Sequence, residues 1–237
     1  MKNKIALIFL TVILLLSISL TSCDIIFGEQ SNKYDHIPEN VLESIPDFDG
    51  ETPYTVINNN VPFFTEEDIV SESFEKYGKR DGLGRCTVCI ACVGVDIMPT
   101  EERDSITHID PTGWHNAQYD FVPDEYVYNR CHLIGFQLTG ENANRENLIT
   151  GTRFMNIDGM LPFENKIAEY VKKTENHVML RVTPIFEGDN LVASGVLMEA
   201  WSVEDNGQGI CLNVYLYNIQ PGVEIDYATG ETHPAKS

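Results

Sequence analysis

At 237 residues, 43% of them apolar and with 11 Phe and 10 Tyr, the chain can build one domain-sized core, which excludes global disorder. Its 36 acids against 16 Lys and Arg give a formal charge of −20, a surface that on average repels nucleic acid and anionic headgroups. Any polyanion-binding function must therefore rest on a local patch.

Lys2 and Lys4 precede the apolar run IALIFLTVILLLSISL, which ends in LTSC at Cys23. A basic start and a short apolar stretch are the pattern of an export signal, too short for a comfortable membrane span. The small-residue end before Cys23 resembles a bacterial lipoprotein cleavage site. Residues 1–22 are thus read as a lipoprotein signal peptide. Cys23 becomes the lipidated first residue, and the chain is expected outside the cytoplasm, anchored to the cell membrane. Residues 23–50 are polar, acidic and punctuated by Pro38 and Pro46, which predicts an extended tether. Residues 51–230 are expected to form the folded domain.

Within that domain, TPYTVINNNVPFF reads as a short strand and an Asn-rich turn. TEEDIVSESFEKYG reads as an acidic helix opened by Thr65, and RCTVCIACVGVDIM as a buried strand. After a loop containing PTGWHNAQYD, residues 125–134 and the stretch NLITGT form two further strands. Residues 152–173 read mostly as helix, interrupted around Gly159 and Pro162. HVMLRVTPIFEG, LVASGVLMEAWSVED and ICLNVYLYNIQ follow as strands, separated by Gly-Asp-Asn and Asn-Gly turns, which suggests an antiparallel meander. The fold class is α+β, an antiparallel β-sheet core with strands before and after a central helix.

The spacing of Cys86, Cys89 and Cys92 invites an iron–sulfur or zinc reading. A metal knuckle needs a turn, and no Gly or Pro separates these cysteines. On a strand, Cys86 and Cys92 would share one face and Cys89 the other. Export favours disulfides, and a bridge from Cys86 or Cys92 to Cys131 is one expectation, although spacing does not fix connectivity.

The chemistry gathers in YNRCHLIG, residues 128–135, and the stretch FQLTGENANRENLITGTRFMNIDGMLPFENKIAEYV that follows. A strand bearing Arg130 and His132 leads through a loop and a short strand to a helix bearing Asn156 and Glu164. Residues 128–170 resemble the non-specific DNA/RNA endonucleases with a ββα-metal (His-Me finger) site, a family that includes secreted and DNA-entry nucleases. Their D-R-G-H signature is followed by a helical Asn and, eight residues later, a Glu. Asn156 and Glu164 keep that spacing, and Asn147 opens the second strand where the family commonly has Asn. Two positions depart: Asn129 stands for the Asp, removing a carboxylate, and Cys131 for the Gly.

The resemblance implies a ββα-metal finger inside a nuclease domain spanning residues 51–230. Phosphodiester hydrolysis needs a base, charge stabilisation at phosphorus and help for the leaving oxygen. His132 suits the base, since a neutral imidazole accepts a proton near neutral pH. A hard divalent cation, Mg²⁺ or Mn²⁺, suits the charge, with Asn156 as its direct protein ligand and Glu164 holding its waters. Arg130 and Arg153 are expected to contact phosphate oxygens, and Asn147 to assist substrate binding. Plainer roles stand beside these. Glu164 follows Pro162 and can be a helix-start acid, Arg153 a solvated helix residue, Trp114 a packing residue ahead of a base-stacking one, and His115 a structural or cleft-lining residue. Asn142 and Asn144 suit loop geometry.

Between Asn129 and Arg181 seven basic residues meet six acids, so the acidic excess lies elsewhere and this segment can face phosphates. Nothing resembles a base-reading element, so little sequence preference is expected. The reading is a lipid-anchored endonuclease acting on DNA, with RNA as a further substrate; no protein partner can be inferred. The alternatives are a catalytically silent nucleic-acid-binding lipoprotein and a redox lipoprotein built on CTVCIAC.

Overall fold

The structure, a computed structural model, describes residues 37–236. The expected signal peptide, Cys23 and the first part of the expected tether lie outside the described residues.

After a short helix, α1 (Glu39–Leu42), a six-stranded antiparallel sheet forms the frame. Its strands are β1 (Tyr54–Val56), β2 (Phe74–Tyr77), β3 (Cys89–Val93), β6 (Val178–Ile185), β7 (Gly195–Ser202) and β8 (Cys211–Tyr217), in the spatial order β1-β8-β7-β6-β3-β2. The β6-β7-β8 meander expected from the Gly and Asn turns is present, with Leu180 opposite Ala200 and Met198 opposite Val214.

Alternation along the central strands splits the core into two layers. Leu180, Val182, Val196, Met198 and Val214 face one side. There they meet a small unit made of β4 (Tyr128–His132), α2 (Phe136–Thr139), β5 (Leu148–Thr152) and α3 (Leu161–Thr174). α3 buries Glu164, Ile167, Ala168 and Val171, one stripe at helical spacing, and leaves Lys172 and Lys173 exposed in its last turn. β4 and β5 pair antiparallel, with Arg130 opposite Thr150 and His132 opposite Leu148. Two strands and a helix on a sheet are the ββα finger that the sequence led us to expect.

The other face of the sheet is covered too. Leu197, Tyr215 and Tyr217 pack under Val41, Ile45, Phe48 and Phe63. Phe48 lies 5.5 Å from Tyr217, whose hydroxyl donates to the Pro46 carbonyl at 2.8 Å. Residues 37–48, read as tether, are therefore part of the folded body: their sparse apolar residues are spent on this face. The same face buries Arg181 and Glu199, joined by bonds of 2.7 and 2.9 Å. The Phe63 amide donates to Glu199, and the Phe64 ring lies against the Arg181 guanidinium. Arg181, counted above as a local positive charge, is thus neutralised inside the core.

Three further expectations change. TEEDIVSESFEKYG holds a turn and strand β2, not a helix. Asp68 reaches back to the Thr65 amide and hydroxyl, both at 2.9 Å, and closes a turn in place of a first helical turn. The helix after β5 is unbroken, because the stretch around Gly159 winds as a π-helix, Phe154–Met160, straight into α3. The strand at Cys89 starts too late to include Cys86. Cys86 and Cys89 therefore share the inner core and Cys92 the outer layer, and all five described cysteines are free thiols.

Candidate active site

Arg130 and His132 sit two apart on β4, so they share the face that opens away from the sheet. With Arg103, Gly135, Gln137, Asn156, Ile157 and Glu164 they line a cavity of about 340 Å³. Four of the residues singled out from sequence converge there, carried by β4, the π-helix and the first turn of α3.

His132 is 6% exposed and held at both ring nitrogens. Arg103 Nη2 lies 3.2 Å from Nδ1, and the Asn142 carbonyl 2.8 Å from Nε2. A guanidinium only donates, so Nδ1 is the acceptor and Nε2 carries the proton given to Asn142. Burial, aided by the Arg103 charge and opposed by the Asn142 bond, pushes the pKa down to about 4. The ring is therefore neutral near pH 7, with its lone pair at Nδ1.

Arg130 is fixed from three sides. Its Nε donates to the Ile109 carbonyl, its Nη2 to Asp110 at 2.8 Å, and its guanidinium lies 4.2 Å above the centre of the Trp114 ring. Trp114, expected to pack, packs here. The remaining guanidinium edge is free to meet an anion in the cavity.

Asn156 Oδ1 accepts a hydrogen bond from the Cys131 thiol at 3.1 Å. Cys131 is fully buried, which pushes its pKa up and keeps it a protonated donor. It fits only because Gly151 has no side chain: a Cβ there would lie 2.5 Å from Cys131 Cβ. The expected disulfide is absent, since this thiol points at Asn156.

Glu164 occupies the inward stripe of α3, 9% exposed, where burial pushes its pKa up to about 7 against a hydrogen bond from Gln137 and the Arg103 charge. Its carboxylate fills the space over Gly135, where a Cβ would come within 2.7 Å of three carboxyl atoms. Its burial shows more than the dipole preference of a helix-start acid.

Two residues have other partners. Asn147 is fully buried, with both ends of its amide bonded to the Ile134 backbone at 2.9 Å. It pins the loop after His132 and has no atom left for substrate. Arg153 pairs with Asp124 at 2.8 Å and Asp158 at 3.7 Å and is not part of the cavity lining. Asn142 and Asn144 do shape the loop, and the Asn142 carbonyl also orients His132.

Sequence reasoning missed Arg103, Gln137 and the Asp110 clamp. Arg103 lies in the acidic, aperiodic stretch EERD, where an arginine reads as solvated. Gly135 was findable, as the glycine that ends HLIG.

The cavity's side-chain oxygen donors are the Asn156 and Gln137 amides and the Glu164 carboxylate, and among the described residues no group of three or more His, Cys, Asp and Glu could hold a metal. That donor set fits a cation that keeps most of its own waters, such as Mg²⁺.

A family profile described as DNA/RNA non-specific endonuclease matches residues 65–204. Among solved structures, NucA from Streptococcus agalactiae with magnesium ion bound is similar at a TM-score of 0.71 and 24% identity, over 83% of this chain and 93% of that one. The Sda1 nuclease with bound zinc ion gives 0.58 at 25% identity, over 69% and 81%. An extracellular endonuclease gives 0.55 at 21% identity, over 73% and 89%.

Proposed function

Because this chain belongs to the DNA/RNA non-specific endonuclease family, we propose that its cavity hydrolyses phosphodiester bonds in DNA, and in RNA, with little sequence preference and with Mg²⁺ or Mn²⁺ as cofactor. The observation that carries the reading is the state of His132: a neutral ring, its Nε2–H fixed on a backbone carbonyl and its Nδ1 lone pair turned to the mobile-ended side chain of Arg103 and not to a carbonyl or carboxylate.

In this reading, once Arg103 has left Nδ1, a water beside the phosphate loses its proton to that nitrogen as its oxygen bonds to phosphorus and the P–O bond to the leaving group breaks. The imidazolium so formed is stabilised through Nε2–H on Asn142. Arg103, which occupies Nδ1 in the resting structure, turns its guanidinium to the phosphate and frees the lone pair. Arg130 holds a phosphate oxygen, already oriented by Asp110 and Trp114. Asn156 would hold the cation directly and Glu164 through its waters; when bound, the cation neutralises charge on the phosphate and the leaving oxygen. Asn147 and Arg153 act by holding the scaffold.

The export signal and Cys23 support a lipid-anchored protein on the outer side of the cell membrane, and an extracellular endonuclease among the similar structures fits that location. Two acyl chains hold firmly where one does not, so Cys23→Ala should move the protein out of the membrane fraction. Equal membrane association of the variant would contradict the anchor.

Incubation with plasmid and with RNA, in Mg²⁺, Mn²⁺ or a chelator, tests the activity. We expect cleavage with either ion, none with chelator, and loss at limiting Mg²⁺ for Asn156→Ala. Undiminished cleavage in chelator would overturn the metal role.

A further inference from the structure

The chain has seven arginines, and five of them are engaged. Arg85 bonds to Asp81, Arg103 to His132, Arg130 to Asp110, Arg153 to Asp124 and Arg181 to Glu199. Arg80 and Arg145 have no ion pair or side-chain hydrogen bond among the described residues. Both line one recess of about 200 Å³, together with Cys86, Ile109, Asp110, Thr112 and Leu148.

The nearby acids leave these two guanidinium groups uncompensated. Asp110 is turned to Arg130 at 2.8 Å, and Asp81 to Arg85 at 2.6 Å. Glu146 and Asp81 both act on the Cys86 thiol, as Arg80 does in the opposite sense; with Asp81 bonded to Arg85, Glu146, next to Arg145, is the acid left to weaken the local positive potential. Both are exposed, and two arginines without carboxylate partners, brought to one recess from distant parts of a strongly acidic chain, make a local positive patch that suits an anion.

The recess also backs onto the cavity. Ile109 and Asp110, which line it, supply the two groups that clamp Arg130. Leu148, also in its lining, is paired with His132 across the β4–β5 ladder.

We propose that this recess is a phosphate subsite, in which Arg80 and Arg145 hold a backbone phosphate of the nucleic acid at a position away from the cleaved bond. The inference rests on the nuclease reading. It gives the acidic protein a grip on the strand that involves no base contact.

The test is equilibrium binding of a DNA duplex to the full chain in detergent, carrying His132→Ala so that bound DNA persists, over a salt titration. Adding Arg80→Gln with Arg145→Gln should weaken binding about tenfold and flatten the slope of log K against log salt by about 1 to 2, the share of one or two phosphate contacts. Lys172→Gln with Lys173→Gln, an equal change of charge at the end of α3, should leave both values near those of the parent. Glu146→Gln should tighten binding. Equal weakening by the arginine and lysine pairs would overturn the subsite, as would no change from the arginine pair. If the arginine pair does not fold, Glu146→Gln decides: tighter binding supports the subsite and unchanged binding overturns it. Wild-type protein that binds with arginine-dependent slope but cuts nothing would leave the subsite standing and defeat the nuclease reading. Cleavage without arginine-dependent binding would do the reverse.

Discussion

Cys131 stands where the resemblance calls for glycine, and the structure gives it work that glycine cannot do. Its Sγ lies 3.1 Å from Asn156 Oδ1, and the bond holds that amide in one of its two orientations. Groups that orient a metal ligand commonly contribute 10–100-fold to affinity. Cys131→Ala should therefore weaken Mn²⁺ binding about tenfold in calorimetry, while Cys131→Ser, which keeps a donor, should retain most of it. Equal affinity in all three proteins would show that Asn156 needs no such partner. His132 makes a prediction of its own about pH. Its pKa near 4 predicts that cleavage at saturating cation stays level well below pH 6 and falls only as pH approaches 4. An acid limb centred near 6.5 that persists in Glu164→Gln, and so does not come from that carboxyl, would mean that the ring is solvated. The same shift bears on stability. A folded-state pKa below the unfolded value near 6.5 adds stability that is complete above that pH and is lost as pH falls toward 4. Glu164 acts in the opposite sense: with its pKa raised to about 7, its contribution is complete below the unfolded value of 4.5 and is lost as pH rises through 7.

At the scale of elements, the β4–loop–β5–helix order was legible because Arg130, His132, Asn156 and Glu164 carry both a spacing and a periodicity. The inward stripe Glu164, Ile167, Ala168, Val171 places the carboxylate by helical geometry alone. Close approach was not legible, because it depends on what lies across the gap. Gly135 permits Glu164 to fill the space above it, and its φ of −60° would suit any residue. Gly135→Ala should thus leave the backbone unstrained but displace the carboxylate. We expect a stability loss of about 1–3 kcal/mol from overpacking, with Mn²⁺ affinity falling alongside. A variant with normal affinity would place Glu164 outside the metal's reach. The segment 65–78 was misread for a related reason. Its acids suit a helix start, but Asp68 turns back on Thr65, and Phe74 is drawn to pair with Cys92 on the sheet.

At the scale of the whole molecule, charge and sequence position mislead together. The local count of basic residues included Arg153 and Arg181, both consumed by carboxylates, and missed Arg103, which reaches the cavity from an aperiodic loop. Loops of this kind have no repeat to read, so the partners of Arg130 and His132 emerge only when the chain is folded. The central claim is that His132 is the base and not a core residue that happens to line a cavity. Because it is buried and bonded at both ring nitrogens, His132→Ala should cost about 1–2 kcal/mol of stability by leaving the Asn142 carbonyl and Arg103 unpaired. Stability alone therefore does not separate the two roles. The deciding measurement is single-turnover plasmid cleavage by His132→Ala at saturating Mg²⁺, scaled to the folded fraction of the same sample. A loss of about 10²–10⁴-fold per folded molecule is the predicted result. Near-normal cleavage per folded molecule would contradict it.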